Sequence, residues 1–131
     1  MKTLLPPGWP RPKGYANGIS ARGRLIFTAG VIGWDAAERI VSDTLAGQFE
    51  QILRNTLAIL AEAEAGPEHI ARMTWYVTDR DEYVASLGAI GAAWRALIGR
   101  HYPAMAVVEV SRLVERAARI EIETIAVVPD A

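Results

Sequence analysis

The chain has 131 residues, 51% of them apolar and 22% charged, so it has the length of one domain with a real core and not the composition of a disordered segment. A formal charge of −1 excludes a body built to neutralise nucleic-acid phosphates. The absence of cysteine excludes disulfides, thiolate nucleophiles and Cys-ligated zinc.

Residues 1–14 hold four prolines and two glycines and read as an extended arm, since proline has no N–H for a ladder and breaks a helix. The arm has no apolar run of signal-peptide type, and nowhere does the chain approach the roughly 18 apolar residues of a spanning helix. A single cytoplasmic domain over residues 1–131 is the expectation. Two strands, Tyr15–Ala21 and Arg24–Val31, flank Arg22 and Gly23 as a hairpin. Trp34–Arg39 reads as a loop before a short strand at Ile40–Val41.

Ser42 and Asp43 offer caps for a helix from Thr44 to Ala65, whose inward stripe runs Leu45, Phe49, Ile52, Leu53, Leu57 and Leu60 at spacings of three and four. Gly66-Pro67 stops it. A strand follows at Ala71–Thr78, with Met73, Trp75 and Val77 on one face. Asp79 or Asp81 caps a second helix from Glu82 to Ile98, in which Gly88 and Gly91 mark close approach of another backbone. Two last strands, Ala104–Ser111 and Ala118–Val128, are joined by a polar loop. The order predicts a mixed α+β fold, two helices covering one face of a five- or six-stranded sheet. On the other face, Met105, Val107 and Glu109 are expected beside Glu121, Glu123, Ile125 and Val127. A face so rich in apolar side chains predicts a symmetric oligomer.

Carboxylates are the first candidates for chemistry. Glu109, Glu121 and Glu123 read either as a cluster on two neighbouring strands or as solvated edge residues. Glu123, within an apolar strand, is expected to be buried enough to have a raised pKa and to move a proton near neutrality. His69 and His101 lack any metal-ligand spacing, so no metal is expected. Trp75 and Trp94 belong to the core. Trp34, in an irregular segment, lines a cavity or an interface, and the Tyr15 hydroxyl is placed to reach a ligand.

Several stretches resemble the reactive intermediate deaminase family (RidA, also YjgF/YER057c/UK114). They are Gly14–Gly18, Phe27–Ile32, Phe49–Gly66, Pro103–Val110 followed by Arg112-Leu113, and above all Ile120-Glu121-Ile122-Glu123-Thr124-Ile125-Ala126. The resemblance implies a chorismate-mutase-like α+β fold and a homotrimer with a central β-barrel and ligand pockets between subunits. It also implies cofactor-free hydrolysis of enamines or imines to a 2-oxo acid and ammonia, with small molecules rather than nucleic acid or membrane as partners. Tyr15, Val31, Ile32 and Glu123 fall on the family's ligand positions, Glu123 on its water-positioning carboxylate, and Trp34 joins them. Met105 stands where the family has its carboxylate-binding Arg, Val107 where many members have Cys, and Gly88 near a family Asn. Methionine has no donor for a carboxylate. The expectation is therefore a divergent RidA-like deaminase, with a non-catalytic trimeric binder built around an apolar inter-subunit pocket as the alternative. Arg11, Arg22 and Arg24 are the nearest replacements for the lost guanidinium.

Overall fold

The computed structural model describes residues 1–131. A five-stranded mixed sheet carries its helices on one face. Its path is β3 (Arg24–Phe27), β7 (Ile120–Val128), β5 (Ile70–Val77), β6 (Ala104–Glu109), and β4 (Val31–Ile32) also pairs with β7. Only β5 and β6 run parallel; β7 is antiparallel to β3, β4 and β5. No helix is long and apolar enough to cross a membrane.

The arm is not wholly extended coil. Lys2–Leu4, ahead of the first proline, forms β1 and pairs with β2 (Gly18–Ser20). This pairing replaces the expected hairpin, because β3 turns away from β2 to pair with the end of β7. Gly23, at φ 147°, lies so close to the Val128 carbonyl that a side chain there would collide with backbone. Ile40 makes one isolated bridge to Trp34 rather than a strand.

Helix α1 (Leu45–Ala61) is capped by Thr44, whose hydroxyl accepts from Gly47 N–H at 3.1 Å, and not by Ser42 or Asp43. Ser42 instead accepts from Thr44 N–H. The helix ends four residues before the predicted Ala65. Glu64 takes a left-handed φ of 56°, while Ala65 N–H bonds Leu60 C=O and Glu64 N–H bonds Ala61 C=O, a Schellman-type closure. The second predicted helix is two: α2 (Arg80–Ala85), capped by Asp79, and α3 (Leu87–Leu97). The break falls at Ser86, whose hydroxyl donates to Glu82 C=O at 2.7 Å, a back-bond that bends helices. Neither Gly88 nor Gly91 meets another backbone: space beside Gly88 is open, and a Cβ at Gly91 would meet only the flexible Arg95 side chain.

Apolar side chains of α1 and α3 pack on Met73, Trp75, Val77, Ile120, Ile122 and Ala126, all at most 2% exposed. Trp75 sits at the centre, its ring centroid 4.8 Å from Phe49 and 6.2 Å from Trp94. Gln48, fully buried, ties α1 to the start of β7. Its Nε2 donates to Ser42 C=O and Ala117 C=O, both at 2.9 Å, and its Oε1 accepts from Arg119 N–H at 2.7 Å.

Candidate functional site

Register decides which candidates can meet. On β7, Ile120, Ile122, Thr124 and Ala126 turn to the helices, so Glu121, Glu123 and Ile125 face outward. Beside them on β5 stand Tyr76 and Thr74, paired with Glu121 and Glu123. On β6, Met105 pairs with Met73 and Val107 with Trp75. Cross-strand partners share a face, so Met105 and Val107 lie on the helix side, half-buried against the core. The expected grouping of Met105 and Val107 with Glu123 on one face is thereby corrected. β5 lies between β6 and β7, and Met105 and Glu123 occupy opposite faces of the same chain's sheet.

Glu109 also leaves the cluster. Its Oε1 accepts from Arg80 N–H at 2.8 Å, at the start of α2. There it satisfies a free helix-end donor and offsets the helix dipole.

What the outer face does assemble is a phenol with two carboxylates. Tyr76 Oη donates to Glu123 Oε1 at 2.8 Å. That bond, then desolvation and the charges of Glu123 and Glu121, raise the Tyr76 pKa above its ordinary 10.0. Glu123 itself is exposed in the protomer, so the burial expected for it is absent. It borders a 190 Å³ hollow together with Arg72 and Thr28. Glu121 is half-buried and lies directly against Gly30, where a Cβ would strike its carboxylate.

Val31, Ile32 and Trp34 come together in a 420 Å³ groove with Gly30, Asn55 and Ile59. Asn55 escaped the sequence reading. Its Nδ2 donates to Trp34 C=O at 2.9 Å and Ile32 C=O at 3.3 Å, and Gln51 orients it by donating to Oδ1 at 2.8 Å. A polar pair spaced i, i+4 on α1 was the available signal. Gly33 lets this segment lie on the helix, since a Cβ there would sit 2.7 Å from Gln48 Cα.

Tyr15 is elsewhere, in a 520 Å³ cleft beneath the arm that also contains Arg11, Arg100, His101 and Tyr102. Its segment runs along the free edge of β6: Ala16 bridges Ala104, and Ala16 N–H donates to Pro103 C=O at 2.9 Å. His101 Nε2 is 2.6 Å from Ile70 C=O, which fixes that nitrogen as the donor. No group of three or more His, Cys, Asp or Glu side chains gathers in metal-binding geometry. The candidate residues thus form a carboxylate–phenol trio, the Val31–Trp34 groove, and a Tyr15 edge beside Met105.

A family model described as Endoribonuclease L-PSP matches residues 10–128. A RutC family protein of Synechocystis is 30% identical over 136 residues, covering 98% of each chain, and one of Pyrococcus horikoshii is 35% identical over 119 residues, covering 89% of this chain and 90% of that one. Among solved structures, YyfB of the Rid family from Yersinia pestis superposes with a TM-score of 0.85 at 28% identity, covering 97% of this chain and 98% of that one. The YjgF gene product of E. coli superposes at 0.68 with 31% identity over the same shares. With the mixed sheet, its helices on one face and the Ile120–Ala126 strand in place, the chain belongs to the Endoribonuclease L-PSP family, that of RidA and the YjgF/YER057c/UK114 proteins.

Proposed function

We propose that the protein is a cofactor-independent hydrolase converting a small enamine or imine into its carbonyl compound and ammonia, and that it works as a homotrimer whose sheets close into a central barrel. The observation that carries this reading is the Tyr76–Glu123–Glu121 trio on a sheet face that also carries Arg72, Thr74 and exposed apolar side chains. Leu25 and Phe27 on that face are 58% and 66% exposed in the protomer, and Val108 is 42% exposed. A run of this kind favours burial against further copies. Because Met105 and Glu123 lie on opposite faces of one sheet, a site using both draws them from different protomers. The β6 edge with Tyr15, Met105 and Val107 comes from one chain, and Val31, Ile32, Trp34 and the carboxylates come from the next.

The chemistry asks little of the protein. Tyr76 holds one oxygen of Glu123 and leaves the other to accept from water. As the water oxygen bonds to the C=N carbon, Glu123 takes the water proton and hands it to the nitrogen, giving a carbinolamine and restoring the carboxylate. The C–N bond then breaks, the hydroxyl proton passes through the carboxylate to the departing nitrogen, and the carbonyl compound and ammonia leave. Positioning and proton transfer supply the rate enhancement.

The family model carries an endoribonuclease name, but a net charge of −1 and paired carboxylates oppose a phosphodiester backbone. Met105 and Val107 give the β6 wall no charged donor, and this favours the second reading, a non-catalytic trimeric binder of small molecules. An amino-acid oxidase generating 2-iminopropionate or 2-iminobutanoate in situ separates the two. The wild type speeds imine loss, and Glu123→Gln removes about 100-fold of that acceleration, the usual worth of general acid–base help. No acceleration by the wild type refutes the hydrolase and leaves the binder.

A further inference from the structure

The 520 Å³ cleft beneath the arm is strongly one-signed. Arg11, Lys13 and Arg100 line it, and no carboxylate does. None of the three makes an ion pair, as holds for every Lys and Arg of the chain except Arg39, Arg54, Arg80 and Arg119. In a chain of net charge −1, three unmatched cations around one hollow create a positive potential that an anion from outside can neutralise. An adjoining 180 Å³ cavity shares Gly14 and Tyr102 with the cleft and is lined by Trp75, Trp94 and Arg95. Arg95 is likewise in no ion pair. The Trp75 indole N–H, on a residue only 2% exposed, has no acceptor, and a buried donor left so is costly until something accepts from it.

The remaining wall is mixed: Leu4, Leu5 and the rings of Tyr15 and Tyr102 supply apolar surface, with Thr3, Asn17 and His101 between them. Tyr102 stacks on Trp94 at 6.1 Å and 11° between planes, which fixes its ring. Leu4 and Leu5 are 41% and 45% exposed. The β1–β2 pairing and left-handed turns at Gly8 (φ 83°) and Gly14 (φ 80°) shape the arm that brings Arg11 here. Of the three arginines the sequence offered, Arg11 alone lines this cleft, and Arg24 is committed to Ala63 C=O at 2.7 Å.

We propose that this cleft is a carboxylate site: Arg11 and Arg100 hold the carboxylate of a small organic acid whose flat apolar part lies against Tyr102 and Leu4. Guanidinium forks suit that group bidentately. Resting on the hydrolase reading, the proposal further makes this cleft, and not the β6 position of Met105, the anchor for an anionic substrate.

Calorimetric titration of the full chain with benzoate, benzamide and inorganic phosphate tests it. Benzoate binds the wild type at least tenfold more tightly than benzamide or phosphate, and Arg11→Gln with Arg100→Gln together weaken it at least tenfold, while Arg54→Gln leaves it unchanged. No benzoate binding, equal affinity for benzamide, tighter phosphate binding, or an unaltered double variant overturns the proposal. Binding needs no turnover. Arginine-dependent benzoate affinity without imine hydrolysis keeps the cleft and removes the enzyme; imine hydrolysis with benzoate affinity indifferent to both arginines does the reverse.

Discussion

Gln48→Leu probes the link between α1 and the strand that carries Glu121 and Glu123. The side chain is fully buried and makes three hydrogen bonds, to Ser42 C=O, Ala117 C=O and Arg119 N–H. Leucine is of similar size, so the change removes the bonds without opening a large cavity. A buried hydrogen bond is worth about 1 kcal/mol net, and a backbone group left unpartnered loses more. Ala117 and Arg119 are themselves exposed residues, so water recovers part of that loss. The sum is about 2–3 kcal/mol of destabilisation, which for a domain of this length lowers Tm by about 10 °C. Thermal and urea unfolding, run at one protomer concentration because self-association shifts apparent stability, measure it. Gln48→Glu supplies the internal control: it keeps an acceptor for Arg119 N–H but turns an oxygen toward two carbonyls, so it is at least as damaging at neutral pH. A loss below about 0.5 kcal/mol for leucine, the range of ordinary surface substitutions, refutes the reasoning.

Titration checks the Tyr76 contact. The folded phenol has a raised pKa, chiefly through its bond to Glu123, against an ordinary 10.0. Its contribution to stability is therefore complete below that ordinary value and disappears as pH climbs through the higher folded one. Phenolate ultraviolet absorbance moves toward 10 for Tyr76 in Glu123→Ala, with Glu123→Gln between the two; identical curves for wild type and Glu123→Ala contradict the bond. Sedimentation equilibrium addresses the apolar sheet face. The wild type has the mass of three chains, and Phe27→Glu, at a side chain 66% exposed in the protomer, shifts it toward one. A wild-type mass of one chain sinks the trimer.

The amino-acid sequence determined α1 and the core by itself, because spacings of three and four from Leu45 to Leu60 leave a helix one way to bury its stripe. The alternation within β5 and β7 was equally legible: Met73, Trp75 and Val77 are the buried set it named on β5, and on β7 it placed Glu121, Glu123 and Ile125 outward. Family membership rested on local stretches and so was visible without coordinates. Alternation gives a period of two residues but no phase relative to a neighbour. On β6 both faces are apolar, Ala104, Ala106 and Val108 against Met105 and Val107, so hydrophobicity could not orient the strand. Only the insertion of β5 between β6 and β7, with Met105 level with Met73, separated Met105 from Glu123. The arm shows the same limit. Its prolines predicted coil, yet Lys2–Leu4 found Gly18–Ser20 as a partner; the cleft that Arg11 shares with Tyr15 and Arg100 depends on long-range packing that local preference does not encode.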